Sequence, residues 1–520
     1  MKLPSLLFSR MSCVRSLALV GVLALAGCAV GPDFHPPVVK TPANWVDADK
    51  TTDATVESHI SPSALTAVDW WSMFGDDTLT RLVHDAAAQN LTLLEADARI
   101  RSSRAAIASI DSGLWPSVSA SGSYSYGSSP NYIGDEPREA PPHTSWHSGL
   151  SAVWDLDIFG ATRRSAEAAT AELEVSVETR HDTLVTLLAD VGVDYISLRS
   201  QQALLSIAYQ NLADEQSTLK ITQDRWQAGL ASKLDYENAK SAADSTSAQI
   251  PSLTASIRTQ IYALALLLGR NPGALMQELS TPAPLPKTPT QIPIGLPAEL
   301  LRRRPDIRAA EAQVHADTAS IGTAFAQYFP QFSLTGSFGF QGVSIGQMTQ
   351  WASQAWSWGP TINWPIFEGG KISAQVEQAK ATLQSDIFAY HNTVLTALNQ
   401  VETSLIDFES DQQRRIALRA VVDDNQQAYN LSKDLYTQGT AEFINVLSAE
   451  LSLASSENQL EQSDAAVATD LVTLFKALGG GWTEFPVRDA MKLDYAEPGA
   501  KNPDDKSDAP LSPLAPAQTP

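Results

Sequence analysis

Few side chains in this chain have the type and spacing for bond-making chemistry. Gly342-Val343-Ser344-Ile345-Gly346 fits the G-x-S-x-G pattern of a serine nucleophile. Such an elbow needs a strand entering it and a helix leaving it, and here the pattern falls between two expected strands. His143 and His147 stand four apart, a spacing that converges two imidazoles on a helix but not in the loop-to-strand region that holds them, and no third ligand is near. Gly369-Gly370-Lys371 lacks the upstream glycine of a phosphate loop. Arg302-Arg303-Arg304 could draw phosphate, but in so acidic a chain it reads as the solvated lead-in to a helix. The expectation is therefore no catalytic residue, no metal site and no cofactor.

One thiol does suggest a modification. Lys2, Arg10 and Arg15 precede an apolar run from Leu17 to Ala26, too short to span a membrane as a helix and suited to a secretory signal over 1–27. It ends in Leu25-Ala26-Gly27-Cys28, which looks like the lipobox of bacterial lipoproteins, whose thiol is acylated and becomes the first residue. By the same resemblance, Ala29 in place of an aspartate directs the product to the outer membrane. The other cysteine, Cys13, lies in the removed segment, so no disulfide is expected.

The 520 residues carry a formal charge of −22 and 43% hydrophobic residues, and removal of 1–27 leaves about −25. Such a surface excludes nucleic acid and anionic headgroups as partners.

An internal repeat must position whatever function exists. Trp115-Pro116-Ser117-Val118-Ser119 recurs as Phe329-Pro330-Gln331-Phe332-Ser333, 214 positions later. From Gly160 to Gly229 is 69 residues, as from Gly370 to Gly439; from Gly229 to Gly269 is 40, as from Gly439 to Gly479. Six prolines in the 18 positions from Ser280 to Pro297 forbid regular helix between the halves.

After each landmark proline the pattern alternates. Ser117, Ser119, Ser121, Ser123 and Ser125 face one way, with Val118, Ala120, Gly122, Tyr124 and Tyr126 the other. Leu150, Ala152, Trp154, Leu156 and Ile158 continue the pattern, as do Phe332, Leu334, Phe338 and Phe340, then Trp356, Trp358, Ile362 and Trp364. Strands of about 10 residues cross a bilayer when tilted; a half-buried soluble sheet is the alternative. Four strands cannot close on themselves, and in lipid an open edge leaves backbone groups unpaired. Three copies give 12 strands and a water-wide interior, whereas two give eight and a filled one.

Each hairpin is followed by a run long enough for a helix of about 100 Å. From Ile372 through Val376, Ala379, Leu383, Ile387, Tyr390, Val394, Leu398, Val401, Leu405 to Phe408, ten steps cover 36 residues. That 3.6 mean keeps the apolar stripe parallel to a straight axis, as in staves of a tube, where a coiled-coil hairpin would show 3.5. The expected plan is a signal peptide (1–27), a lipid-anchored extended segment (28–75), helix (76–114), hairpin (115–159), helical hairpin (160–279), linker (280–297), helix (298–328), hairpin (329–368), helical hairpin (369–482) and disordered tail (483–520).

Cys28-Ala29-Val30-Gly31-Pro32-Asp33-Phe34, Leu300-Leu301-Arg302-Arg303-Arg304-Pro305-Asp306-Ile307 and Lys476-Ala477-Leu478-Gly479-Gly480-Gly481-Trp482 resemble the TolC-like outer-membrane factors of the OprM/NodT efflux type. The resemblance implies a mixed α and β membrane protein: a homotrimer with a 12-stranded barrel in the outer membrane and a long α-helical barrel in the periplasm. It further implies a periplasmic membrane-fusion adaptor and an inner-membrane RND-type pump as partners, with outer-membrane lipid around the barrel. The implied adaptor-contact tips are Arg225, Gly229, Leu230, Ser232, Leu234 and Asp235, and Tyr436, Gly439, Thr440, Asn445, Val446 and Leu447. Aspartates that gate the entrance in such proteins are replaced here by Asn445 and Ser448, leaving Glu442 or Glu450 as substitutes. A protein-secretion channel of the same shape and a non-conducting scaffold lipoprotein are the competing readings.

Overall fold

Two runs without proline form the longest elements of the computed structural model, which describes residues 29–46, 57–61, 69–128, 131–133, 136–138 and 141–487. Segment 1–27, Cys28 and the tail beyond 487 lie outside the described residues. The short strand β1 (His59–Ser61) precedes helices α1 (Asp77–Gln89) and α2 (Leu91–Asp111). Strand β2 (Ser117–Gly127), a small hairpin of β3 (Asn131–Ile133) and β4 (Glu136–Arg138), and β5 (His143–Leu156) follow. The first long helix, α3 (Ala161–Gln227), has 67 residues and returns through α4 (Lys233–Leu267), of 35. After α5 (Met276–Leu279) and β6 (Gln291–Pro293), the second half repeats the plan. Its elements are α6 (Pro297–Arg303), α7 (Pro305–Ala326), β7 (Gln331–Gly342), β8 (Gln354–Asn363), α8 (Lys371–Thr437) and α9 (Phe443–Ala477). Helices α8 and α9 have 67 and 35 residues, as in the first half.

Both helices expected to lead into the hairpins are broken, each for a local reason. Asn90 leaves the helical region; its side chain accepts from Leu93 N at 2.9 Å and donates to Leu267 O at 2.9 Å, capping α2 and tying it to the end of α4. Arg304 is extended because the Pro305 ring disfavours helical backbone in the residue before it.

The sheet runs β2-β5-β7-β8, antiparallel throughout. Helix α4 packs on α3, α3 on α9 and α9 on α8, while α7 fills the space between α3 and α8. Among the described residues both layers are therefore open at both edges, with β2 and β8 unpaired on one side and α4 and α8 flanked by a helix on one side. All eleven residues of the 3.6-spaced stripe are buried or half-buried. The largest core lies where α1, α3, α8 and α9 meet: Trp70 stacks on Phe475 at 5.7 Å, with Trp71, Tyr195 and Leu471 fully buried. Among the described residues no helix is long and apolar enough to cross a membrane.

Candidate functional site

The sheet has two unlike faces, and the register fixes them. Ala120, Leu150, Phe338 and Trp356 form one transverse row, and Val118, Ala152, Gly336 and Trp358 the next. On the opposite face the intervening row is Ser119, Ser151, Ser337 and Ser357, with hydroxyl pairs at 2.8 Å (Ser119–Ser151) and 2.9 Å (Ser337–Ser357). Val153 is an apolar exception on that polar face. The aromatic face meets no core of its own: Trp356 is 65% exposed and Trp358 76%. Such area is costly in water at roughly 25 cal/mol per Å2 and stable against lipid. Aromatics also mark the strand ends. Tyr124 packs on Trp146 at 4.6 Å at one end; at the other, the Trp154 and Trp364 indoles donate to Leu114 O (3.0 Å) and Tyr328 O (3.1 Å). Amphipathic rings favour bilayer interfaces.

The described chain near Cys28 lies at the base of this sheet. Val30 N donates to Phe159 O at 3.2 Å, just beyond β5, and Ala29 packs on Gly160. Arg164, 5% exposed, donates to Val30 O and pairs with Asp33 at 2.8 Å, holding the Asp33 carboxyl below its usual range. Gly31 (φ +103°) approaches Gly322 so closely that a Cβ would overlap the Gly322 Cα. From there the segment reaches Trp45, buried, whose indole donates to Gly295 O at 3.0 Å.

At the far end, both helical hairpins turn on a left-handed glycine, Gly229 at φ +74° and Gly439 at φ +78°. Leu230 N returns to Arg225 O at 2.8 Å, and Thr440 N to Leu435 O at 3.0 Å. Within the first tip, Ser232 and Asp235 form a capping box, Ser232 N to Asp235 Oδ2 at 3.0 Å and Asp235 N to Ser232 Oγ at 3.1 Å. Leu230 and Leu234 stay 70% and 67% exposed. Arg225 crosses to the other hairpin, where its guanidinium donates to Tyr436 O at 2.8 Å and covers the Tyr436 ring at 4.6 Å. The structure thus brings Arg225, Tyr436 and Gly439 together. Thr440, Asn445 and Ser448 are exposed, Leu447 is half-buried and Val446 is buried.

Glu450 is not exposed. It is 7% exposed, accepting from Thr218 Oγ1 at 3.3 Å and Tyr429 OH at 3.5 Å, and Lys433 Nζ donates to Tyr429 OH at 3.1 Å. Burial, and then the nearby Glu215, push the Glu450 carboxyl up to about 7. Thr218, Glu215, Tyr429 and Lys433 were not singled out from the sequence. A signal did exist, since an antiparallel helical hairpin pairs residues equidistant from its turn. Gly229 lies between Glu215 and Thr246, which bond at 2.8 Å, as Gly439 lies between Tyr429 and Glu450. Among the described residues no group of His, Cys, Asp or Glu is assembled to hold a metal.

Residues 82–270 and 296–480 match the family of outer membrane efflux proteins. Outer membrane protein OprJ of Pseudomonas aeruginosa is 30% identical over 90% of this chain and 96% of its own length. The toluene efflux pump outer membrane protein TtgF of Pseudomonas putida is 29% identical over 88% and 95%. The solved structure of the outer-membrane channel OprN superposes with a TM-score of 0.79 at 33% identity, covering 88% of this chain and 100% of that one. Repeated strand and helix hairpins, an apolar outer and serine inner face, and a match across both halves lead to one conclusion: the chain belongs to the outer membrane efflux protein family.

Proposed function

We propose that this chain is the outer-membrane exit channel of a tripartite efflux pump, working as a homotrimer that passes small molecules across the outer membrane. One observation carries the reading: a four-stranded sheet, apolar on one face and lined with serine on the other, is open at both edges. In lipid those edges must be paired, and partners related by rotation complete a closed wall. Three copies give 12 strands, and the small inner side chains leave the bore to water.

The helices support the same closure. On α8, Phe388, Leu395, Ile406, Leu431 and Leu435 are exposed in the single chain. At 3.6 residues per turn they lie within about 20° of one line. This second stripe suits the flank of a neighbour's α4. Acylation at Cys28 would set lipid at the periplasmic base of the barrel, since Ala29 packs against Gly160 there. The tips, with Leu230 and Leu234 uncovered, serve as contacts for a periplasmic membrane-fusion adaptor, which links the channel to an inner-membrane RND-type pump. Asn445 and Ser448, exposed beside the second turn, are the proposed narrowing of the entrance, without a ring of carboxylates.

Protein extracted from the outer membrane and added to a planar bilayer tests the reading. Discrete, long-lived conductance steps are expected; insertion without conductance would leave only a scaffold.

A further inference from the structure

About 20 Å above the first turn, a groove of about 400 Å3 opens among α3, α4 and α9. Its wall includes Glu215, Asn211, Gln249, Asn458, Leu253 and Leu451. Glu215 is 3% exposed; Thr246 Oγ1 donates to its Oε1 at 2.8 Å, while its Oε2 is buried without a hydrogen-bond partner. A buried carboxylate oxygen left unpaired is costly and calls for a donor.

The internal repeat supplies a control for this position. In the second half, 210 residues on, Asn425 stands where Glu215 stands in the first and Ser456 where Thr246 stands. Asn425 Nδ2 donates to Ser456 Oγ at 3.1 Å and to Ser452 O at 3.3 Å. A neutral amide therefore serves the packing there, and the carboxylate of Glu215 is not required by the fold. What the carboxylate adds is a negative charge with one free oxygen, among Asp214, Glu450 and Glu457. Lys433, on α8, is turned to Tyr429 instead.

The ligand class follows from the wall. A hard dication lacks its ligand set, since no group of metal-binding side chains is assembled among the described residues. A primary ammonium has three N–H donors, matching one carboxylate oxygen and the amide oxygens of Asn and Gln side chains, and an attached alkyl chain matches the leucines. We propose that this groove binds a protonated primary alkylamine, with its ammonium on Glu215 Oε2 and its alkyl body against Leu253 and Leu451. Burial, with the charge of Asp214 adding to it and the Thr246 hydrogen bond opposing it, pushes the Glu215 carboxyl up; a bound cation would draw it back and keep it ionised. The inference goes beyond transport and stands without it.

Calorimetric titration of n-hexylammonium into the detergent-solubilised full chain tests it, with hexan-1-ol as the uncharged control. Saturable binding is expected for hexylammonium and none for the alcohol. Glu215→Gln and Glu215→Asn, the latter copying the second half, should each weaken binding at least tenfold with the fold intact by circular dichroism. Ser455→Trp, which fills the groove and leaves Glu215 in place, should also abolish it. No saturable binding to the parent protein, equal binding to Glu215→Gln, equal binding of the alcohol or full binding to Ser455→Trp would each overturn the proposal.

Discussion

Arg225 joins the two helical hairpins at their tips: its guanidinium lies 2.8 Å from the Tyr436 carbonyl oxygen and 4.6 Å from the centre of the Tyr436 ring. A cation at the last turn of α8 meets the negative end of that helix, and Arg225 adds a second donor to a Tyr436 carbonyl that also accepts from Gly439 N at 2.9 Å. Because Arg225 is only half-buried, solvent screening limits the contact to about 1–2 kcal/mol. Arg225→Ala should raise amide hydrogen exchange over both turns several-fold while leaving the sheet and the Trp70 core protected. Arg225→Lys should restore little, because it lacks the planar fork that stacks and donates together. Unchanged exchange at the second turn would show that the hairpins do not depend on this link.

Gly229 and Gly439 test the tips as docking surfaces. Space is open around Gly229, and the nearest atom to a Cβ on Gly439 is Arg225 Nη2 at 3.7 Å. A side chain at either site therefore costs mainly the left-handed conformation, about 1–2 kcal/mol. Gly229→Trp and Gly439→Trp should be made and assembled at normal abundance yet lower drug resistance in cells, since bulk at the tip blocks an adaptor. Immunoblot abundance beside inhibitory concentrations separates the two effects, and full resistance at normal abundance would remove the tips from the docking surface.

The Glu450 cluster predicts a pH dependence of stability. Thr218, Glu215 and Asp214 face it from α3, and Tyr429 and Lys433 from α8. The folded carboxyl titrates near 7 against an ordinary 4.5, so within that window the folded protein holds a proton that the unfolded chain releases. Its contribution to stability is complete below about 4.5 and is lost as pH rises through about 7. Glu57, held low by Arg419, acts in the opposite sense; the comparison must therefore be between proteins. Glu450→Gln should be stabilising at pH 8 and close to neutral at pH 4.5, read from denaturant midpoints. A constant difference across that range would contradict the assignment.

Much of the architecture was legible because its signals are local. Serine at every second position from Ser117 to Ser125 sets one strand face without reference to any partner. The 3.6 spacing from Ile372 to Phe408 likewise sets one helix face, and all eleven of its residues turned inward or half-inward. Contacts that depend on packing between hairpins were not legible. Arg225 and Tyr436 are 211 residues apart, and their meeting depends on α9 lying against α3. Glu450 read as a substitute for a gate carboxylate, but its direction along α9 is set by Thr218 on another hairpin. The break at Asn90 was hidden differently, since only a side-chain cap interrupts the backbone there, whereas Pro305 at a first-turn position already marked the start of α7.

Disulfide trapping between the edge strands tests closure across copies most directly. Within one chain β2 and β8 are separated by β5 and β7, about 14 Å at about 4.8 Å per strand step, beyond the reach of a disulfide, whose Cα atoms lie within about 7 Å. Cysteine pairs that combine Ser119→Cys, Ser121→Cys or Ser123→Cys on β2 with Ala355→Cys, Ser357→Cys or Gly359→Cys on β8 should, on oxidation in membranes, yield covalent dimers and trimers in at least one register. The ladder should end at three chains. Bands that stay monomeric in every register, or a ladder that runs on beyond three, would contradict a barrel wall shared by three copies.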